Sequence, residues 1–309
     1  MAGHAAEDCL DLAAHRLAVA LISQFIKDIK NHGAGVDLAQ NRRSFTHCNR
    51  AAAKRLKGHA RETPLLNAPL LDDLALTLEA GCVLGLAGPN GAGKSSLLKL
   101  VAGDIPLTSG KLLLGGRGRD DWPRAQLARQ LAFLPQLSLL NFPYTVEEVV
   151  RLGRMPHDTG RARDREILDQ AMAATDTLQL RERLYTQLSG GERQRVQLAR
   201  VFSQIWDAGE GGLLMLDEPA AALDLAHQQL ILDSVQKLAA TGCAVILTIH
   251  DLNLVAGLAD TVAVINAGRI AACGSPADIF TEQLFRDVFA IDVVIQQHPN
   301  RSQPLVISR

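Results

Sequence analysis

The stretch Gly88-Pro89-Asn90-Gly91-Ala92-Gly93-Lys94-Ser95-Ser96 decides how the rest of this 309-residue chain is read. It fits the pattern Gly-x-x-x-x-Gly-Lys-Ser, with Gly88, Gly93, Lys94 and Ser95 at the fixed places. An apolar run from Cys82 to Ala87 precedes it and reads as a short buried strand, and Leu97 to Ala102 begins a helix after it. Glycines let the backbone curl so that successive N–H groups point at phosphate oxygens, and the helix N-terminus adds the positive end of its dipole. Lys94 then reaches the β- and γ-phosphates, and the Ser95 hydroxyl holds Mg²⁺. A mere glycine-rich turn would need neither the lysine nor the serine, so the stretch is read as a nucleotide site.

Other stretches place polar side chains where such a site needs them. Leu213-Leu214-Met215-Leu216 reads as a buried strand ending in Asp217-Glu218-Pro219. An acid at that strand's end, beside a phosphate loop, meets Mg²⁺; Glu218 puts a second carboxylate within reach of an attacking water. A solvated loop can also carry an Asp-Glu pair, but an apolar strand seldom ends in one. In Leu188-Ser189-Gly190-Gly191-Glu192-Arg193-Gln194-Arg195, Ser189 and Glu192 signal a helix start, and the glycines leave a bare N-terminus suited to an anion. Gln136, after the strand Leu131–Leu134, reads alone as a loop amide. His250, after Ala244–Ile249, reads alone as a structural histidine, and the preceding motifs make it a candidate.

The remaining chain alternates strands and helices. Leu70–Leu78 and Ser109–Gly116 read as strands, and Arg124–Arg129 as a helix. Thr145-Val146-Glu147-Glu148 resembles a capping box opening a helix through Leu152. Ile167, Leu168, Ala171, Met172 and Leu178 predict a helix between Asp164 and Leu180, so residues 143–187 form a mostly helical block inserted into an α/β chain. Leu225–Ala239 reads as a helix, Thr261–Ala272 as a hairpin turning at Asn266-Ala267-Gly268, and Ser275-Pro276 as a helix start. From about Gln296 the chain is polar and carries no signal. Near the start, apolar residues between Leu10 and Ile29 fall at helical spacing and suggest an amphipathic helix over Asp8–Lys30. From Arg42 to Arg61 come seven basic residues and no acid. That run suits an arm for anionic lipid or nucleic acid; a solvated leader is the simpler reading and is preferred.

Composition narrows the class. With 32 basic and 33 acidic residues the net charge is −1, so no global field points to nucleic acid. The length allows one large domain or two. Cysteines at 9, 48, 82, 243 and 273 form no Cys-x-x-Cys, which argues against a zinc site or a disulfide framework and fits a reducing, cytosolic setting. No apolar run is long enough to span a bilayer, and Glu7, Asp8 and Asp11 stand where a secretory signal carries basic residues. Action at a membrane would need a partner.

In the order and spacing of its motifs the chain resembles the ATP-binding subunits of ABC transporters over roughly Leu65 to Ile295. Walker A is Gly88–Ser95, the Q-loop Gln136, the signature Leu188–Arg195, Walker B Leu213–Glu218, the D-loop Ala222-Leu223-Asp224 and the switch His250. The resemblance implies an α/β P-loop NTPase fold with a RecA-like core, an N-terminal antiparallel β subdomain and an inserted helical subdomain over about 137–187. These would lie in an ATP-binding domain spanning 63–295, between an extension, 1–62, and a tail, 296–309. It implies ATP and Mg²⁺ as cofactors and ATP hydrolysis as the activity. Gly88, Pro89, Asn90, Gly91, Ala92, Gly93, Lys94, Ser95 and Ser96 would cradle the nucleotide. Two copies would close head to tail, so that Ser189, Gly190 and Gly191 of one cover the γ-phosphate held by the other, with Glu192 and Asp224 also facing the nucleotide. Ser95, Gln136 and Asp217 would hold Mg²⁺, Glu218 would polarise the attacking water, and His250 would contact the γ-phosphate, making Glu218, His250 and Gln136 the catalytic set.

A narrower likeness lies in Phe142–Val150 and Leu152-Gly153-Arg154-Met155-Pro156-His157, which look like importers of iron chelates and cobalamin, where this region docks the permease. Ala199–Trp206 and Ala222–Gln228 are most similar to hemin-import subunits. This implies a homodimer on two copies of a permease at the cytoplasmic face of a bacterial inner membrane. A periplasmic or surface binding protein would serve it indirectly, with no nucleic acid involved. Cargo would pass through the permease, so His157 and His227 are not heme-ligand candidates. A siderophore or cobalamin importer and a soluble ABC ATPase acting on nucleic acid stand as alternatives. Glu62–Pro69 lacks the aromatic that relatives place against adenine, Pro219-Ala220-Ala221-Ala222 lacks their hydroxyl residues, and Ser96 replaces a common Thr.

Overall fold

Continuous apolar runs build the central sheet, because parallel strands covered on both faces have no solvent side to alternate with. The computed structural model describes residues 33–34, 70–136, 140, 142–299 and 303–309. The expected helix Asp8–Lys30, the basic run 42–61 and the stretch Glu62–Pro69 lie outside these residues. Six strands form the sheet: β1 (Val83–Ala87), β2 (Leu131–Leu134), β3 (Leu213–Asp217), β4 (Ala244–Thr248), β5 (Thr261–Asn266) and β6 (Arg269–Gly274). Their spatial order is β6-β5-β1-β4-β3-β2, with only β6 antiparallel to its neighbour. Every residue of β1, β3 and β4 is buried.

Alternate residues serve opposite faces of the sheet. Leu84, Leu86, Met215, Ile246 and Ala263 pack with Leu97, Leu98 and Val101 of helix α1 (Lys94–Ala102). Leu214, Leu216, Val245, Leu247 and Val262 pack on the other face with helices α5 (Gly190–Ile205) and α6 (Leu225–Ala240), through Leu198, Phe202, Ile231 and Val235. Between these helices in sequence come α2 (Arg124–Gln130), α3 (Val146–Arg151) and α4 (Arg161–Ala174); α7 (Leu252–Leu258) follows β4. Val146, Val149 and Val150 of α3 and Leu168 and Met172 of α4 enclose a separate cluster with Val196 and Ala199 of α5. Helix α5 is therefore shared between the sheet and the helical block.

The phrase Leu152–His157 is a packing joint. A Cβ on Gly153 would stand 2.2 Å from the Arg200 carbonyl oxygen, so only glycine permits this approach to α5. Arg154 is buried and donates to Asp164 at 2.9 Å, to the Ser203 carbonyl at 2.8 Å and to Asp207 at 3.3 Å. His157 Nε2 bonds the Gln204 carbonyl at 2.8 Å, and burial pushes its pKa down. The Thr145–Glu148 capping box forms as the sequence suggests.

Four local readings differ from the structure. The helix expected to reach Leu180 stops at Ala174, because the buried Thr175 and Thr177 hydroxyls bond the Ala171 and Met172 carbonyls and compete with the helix ladder. The strand expected over Ser109–Gly116 is divided, with Leu113–Leu114 pairing across Gly115-Gly116 to Arg117–Gly118. Leu70–Leu78 contributes a single bridge residue, Thr77, since Asp72 N–H bonds the Gly268 carbonyl at 2.9 Å and draws the segment against the β5–β6 turn. At the other end, where no signal was read from Gln296 onward, β7 (Val293–Gln297) pairs with β8 (Pro304–Ser308). Asn253 of α7 clamps this hairpin: its amide donates to the Val306 carbonyl at 3.1 Å and accepts from Val306 N–H at 2.7 Å. No helix among the described residues is long and apolar enough to cross a membrane.

Removing that clamp leaves two part-buried backbone groups short of partners, so Asn253→Ala should cost about 1–3 kcal/mol in denaturant unfolding. Unchanged stability would show that the hairpin is held by its ladder alone.

Candidate functional site

The candidate side chains lie at or just beyond the carboxyl ends of parallel strands, where open α/β sheets place their ligands. The phosphate loop follows β1, Gln136 stands two residues beyond β2, Asp217 closes β3 with Glu218 next, and His250 stands two residues beyond β4. The loop is shaped by glycine. Gly88 has φ +140°, and a Cβ there would meet the Ile265 carbonyl oxygen of β5 at 2.0 Å. Helix α1 is preceded by Gly93 at φ +111°, which offers no side chain to cap the first turn. The N–H groups of that turn face outward as an anion site.

Lys94 is buried beneath the loop, and its Nζ donates to the carbonyls of Gly88 at 2.7 Å and Pro89 at 2.9 Å. Burial pulls its pKa down, opposed by the nearby carboxylates of Glu218 and Asp217. Asn90 and Gly91 form the exposed tip, Ala92 is buried, and Ser95 and Ser96 are half-buried in the first turn.

A hydroxyl absent from the sequence reading organises the two acids. Thr248, the last residue of β4, is in register with Asp217. Its Oγ1 donates to Asp217 Oδ1 at 2.7 Å and accepts from Glu218 N–H at 2.8 Å. The clue was a threonine closing an otherwise aliphatic strand two residues before His250. Glu218 takes the left-handed conformation, φ +52°, rare for a glutamate and common at strained functional turns. Its carboxylate accepts from Gln136 Nε2 at 2.9 Å and from His250 Nε2 at 2.6 Å. Gln136, Glu218 and His250, from three strand ends, thus meet on one carboxylate.

The Ser189 group lies apart from these residues. The Ser189 hydroxyl accepts from Glu192 N–H at 3.3 Å, while Glu192 accepts from Ser189 N–H at 2.8 Å and from Arg183 at 3.0 Å; the hydrogen bonds from Ser189, with the Arg183 charge behind them, hold its carboxyl below the usual range. Ser189 and Gly190 are exposed, and a Cβ on Gly191 would lie 3.1 Å from the Ala222 carbonyl. Asp224 caps α6 by accepting from His227 N–H at 2.9 Å. Among the described residues no hydrogen bond or ion pair links Ser189–Glu192 or Asp224 to the phosphate loop.

The ABC transporter family pattern matches residues 71–221. The chain is 48% identical over 243 residues to "Hemin import ATP-binding protein HmuV" of Pseudomonas entomophila, covering 79% of this chain and 95% of that protein. It is 44% identical over 259 residues to the protein of the same name from Streptomyces coelicolor, covering 83% and 89%. In structure it is similar to a chain of a metal-chelate type ABC transporter in an inward-facing conformation, with a TM-score of 0.61, 28% identity, and 75% of this chain and 89% of that one covered.

Thr248→Val keeps the shape of β4 but leaves Asp217 and the Glu218 N–H without their shared partner. It should cost about 1–3 kcal/mol of stability and weaken Mg²⁺-dependent nucleotide binding more than Mg²⁺-free binding, read by fluorescent nucleotide titration. Equal weakening under both conditions would remove Thr248 from the metal side of the site.

Proposed function

Because the chain belongs to the ATP-binding subunits of ABC transporters, we propose that it is the ATP-hydrolysing, energy-coupling subunit of a membrane importer for hemin. The observation that carries the hydrolytic reading is the Glu218 carboxylate, gripped by Gln136 and His250 beside the phosphate loop. The hemin reading is supported by the identity to relatives bearing that name.

In this reading the loop N–H groups and Lys94 bind the phosphates, and positioning plus charge neutralisation supply the rate, as phosphoryl transfer requires. When nucleotide enters, Lys94 exchanges the Gly88 and Pro89 carbonyls for phosphate oxygens. Mg²⁺ fits the donors present: the Ser95 hydroxyl, Asp217 with one oxygen taken by Thr248, and the Gln136 carbonyl, its amide nitrogen being given to Glu218. Bound there, it would neutralise charge on the transferring phosphoryl group. Glu218 orients and polarises the attacking water, and His250, released from Glu218, contacts the γ-phosphate.

The absence of any hydrogen bond or ion pair between Ser189–Glu192 and the phosphate loop among the described residues supports a head-to-tail homodimer, in which one copy's exposed Ser189 and Gly190, with the half-buried Gly191, close over the other's nucleotide. With no membrane-crossing helix among the described residues, transport needs a permease. The reading therefore includes two permease copies, a substrate-binding protein acting through them, and residence at the cytoplasmic face of the inner membrane.

Glu218→Gln should bind MgATP with near wild-type affinity while hydrolysis falls by about 10²-fold or more; hydrolysis at the wild-type rate would withdraw the assignment. In liposomes with its permease and binding protein, ATPase activity should rise with hemin and not with ferric siderophores or cobalamin. Stimulation by another chelate keeps the mechanism and discards the cargo.

A further inference from the structure

A second cluster of charged side chains lies outside the phosphate site, between the helical block and α6. His227 stands in the first turn of α6, three residues after Asp224. Its Nδ1 lies 2.9 and 3.0 Å from the two carboxylate oxygens of Asp224, and its Nε2 lies 3.3 Å from Asp176 Oδ2. Asp176 follows the end of α4 in the left-handed conformation, φ +51°. The same Oδ2 accepts from Arg195 Nη1 at 2.9 Å, and this nitrogen also donates to the carbonyls of Thr175 and Asp176. Arg195 is buried and belongs to α5, which begins at Gly190 and Gly191. The charged groups around His227 are therefore Asp224 from its own helix, Asp176 from the end of α4 and, behind Asp176, Arg195 from α5.

The ring thus stands between two carboxylates, with one nitrogen turned to each. Asp176 is in turn shared between the ring and the Arg195 guanidinium, a donor whose planar fork fixes the geometry of what it holds.

We propose that His227 is a positioning residue for ATP hydrolysis: its ring bridges Asp224 to Asp176 and, through Arg195, fixes the turn at Ala222–Asp224 against helix α5. This rests on the reading above, in which that turn and Ser189–Gly191 of one copy complete the site of the other. The bridge holds together the two segments that must reach the neighbouring copy as one surface. It touches no nucleotide itself. Hydrogen-bonded coupling of this kind acts on the geometry of the closed site, hence on kcat before KM.

The test uses the full-length chain with MgATP. His227→Ala should lower kcat several-fold with KM for ATP unchanged. Asp176→Asn should reproduce the loss, and the double variant should lose nothing more. His227→Arg, whose guanidinium can donate to both carboxylates, should retain activity. Additive losses, a His227→Arg variant as impaired as His227→Ala, or a KM effect with kcat unchanged would overturn the proposal. Thermal unfolding checks the bridge without activity: His227→Ala and Asp176→Asn should be coupled in a double-variant cycle, and independence would overturn it. Wild-type hydrolysis that Glu218→Gln does not abolish would instead sink the reading of the main site and leave the unfolding cycle to judge the bridge.

Discussion

The alignment of β3 with β4 is the constraint on which the site depends. Because Asp217 and Thr248 are directly opposite in register, one hydroxyl can hold the Asp217 carboxylate and the Glu218 N–H at once. Slipping either strand by one residue would turn Thr248 toward the opposite face and separate these groups. The register is secured by burial: each residue of both strands is enclosed, so a slip would move apolar side chains away from helices packed on both faces. The chemistry at the strand ends is thus fixed by the aliphatic core beneath it.

Helix α5 carries that order outward. One side meets the sheet through Leu198 and Phe202, and another meets the helical block through Val196 and Ala199. Its N-terminal glycines therefore hold a set relation both to β3 and to α3 and α4. Gly153 and Arg154 tighten the relation, the first by letting two backbones approach and the second by joining the block to Ser203 and Asp207. The sequence phrase around them is a mechanical joint, and its histidine, His157, is spent on the Gln204 carbonyl.

Much of the fold was legible because its signals are local. Buried parallel strands read as short apolar runs, and the boxes Thr145–Glu148 and Ser189–Glu192 formed as their spacing indicates. The failures share a different character. Residues from Gln296 onward look polar, yet β7 and β8 pair because each supplies the other's backbone partners and Asn253, some fifty residues away in sequence, clamps them. The helix through Thr175 looked continuous, but the Thr175 and Thr177 hydroxyls bond the Ala171 and Met172 carbonyls, a local competition that matters because the folded packing buries both side chains away from water.

By itself, the sequence determined the phosphate loop, the acids at the end of β3 and the family to which they belong. Those properties reside in residue type and short spacing: glycine where φ is positive, lysine and serine at a helix start, carboxylates after an apolar run. Only the tertiary structure decided that Gln136 and His250 meet on the Glu218 carboxylate, that Thr248 holds the Asp217 carboxylate and the Glu218 N–H, and that His227 faces Asp176. These contacts join residues far apart in the chain. Sequence spacing carries no distance across a sheet, and strand order and register do.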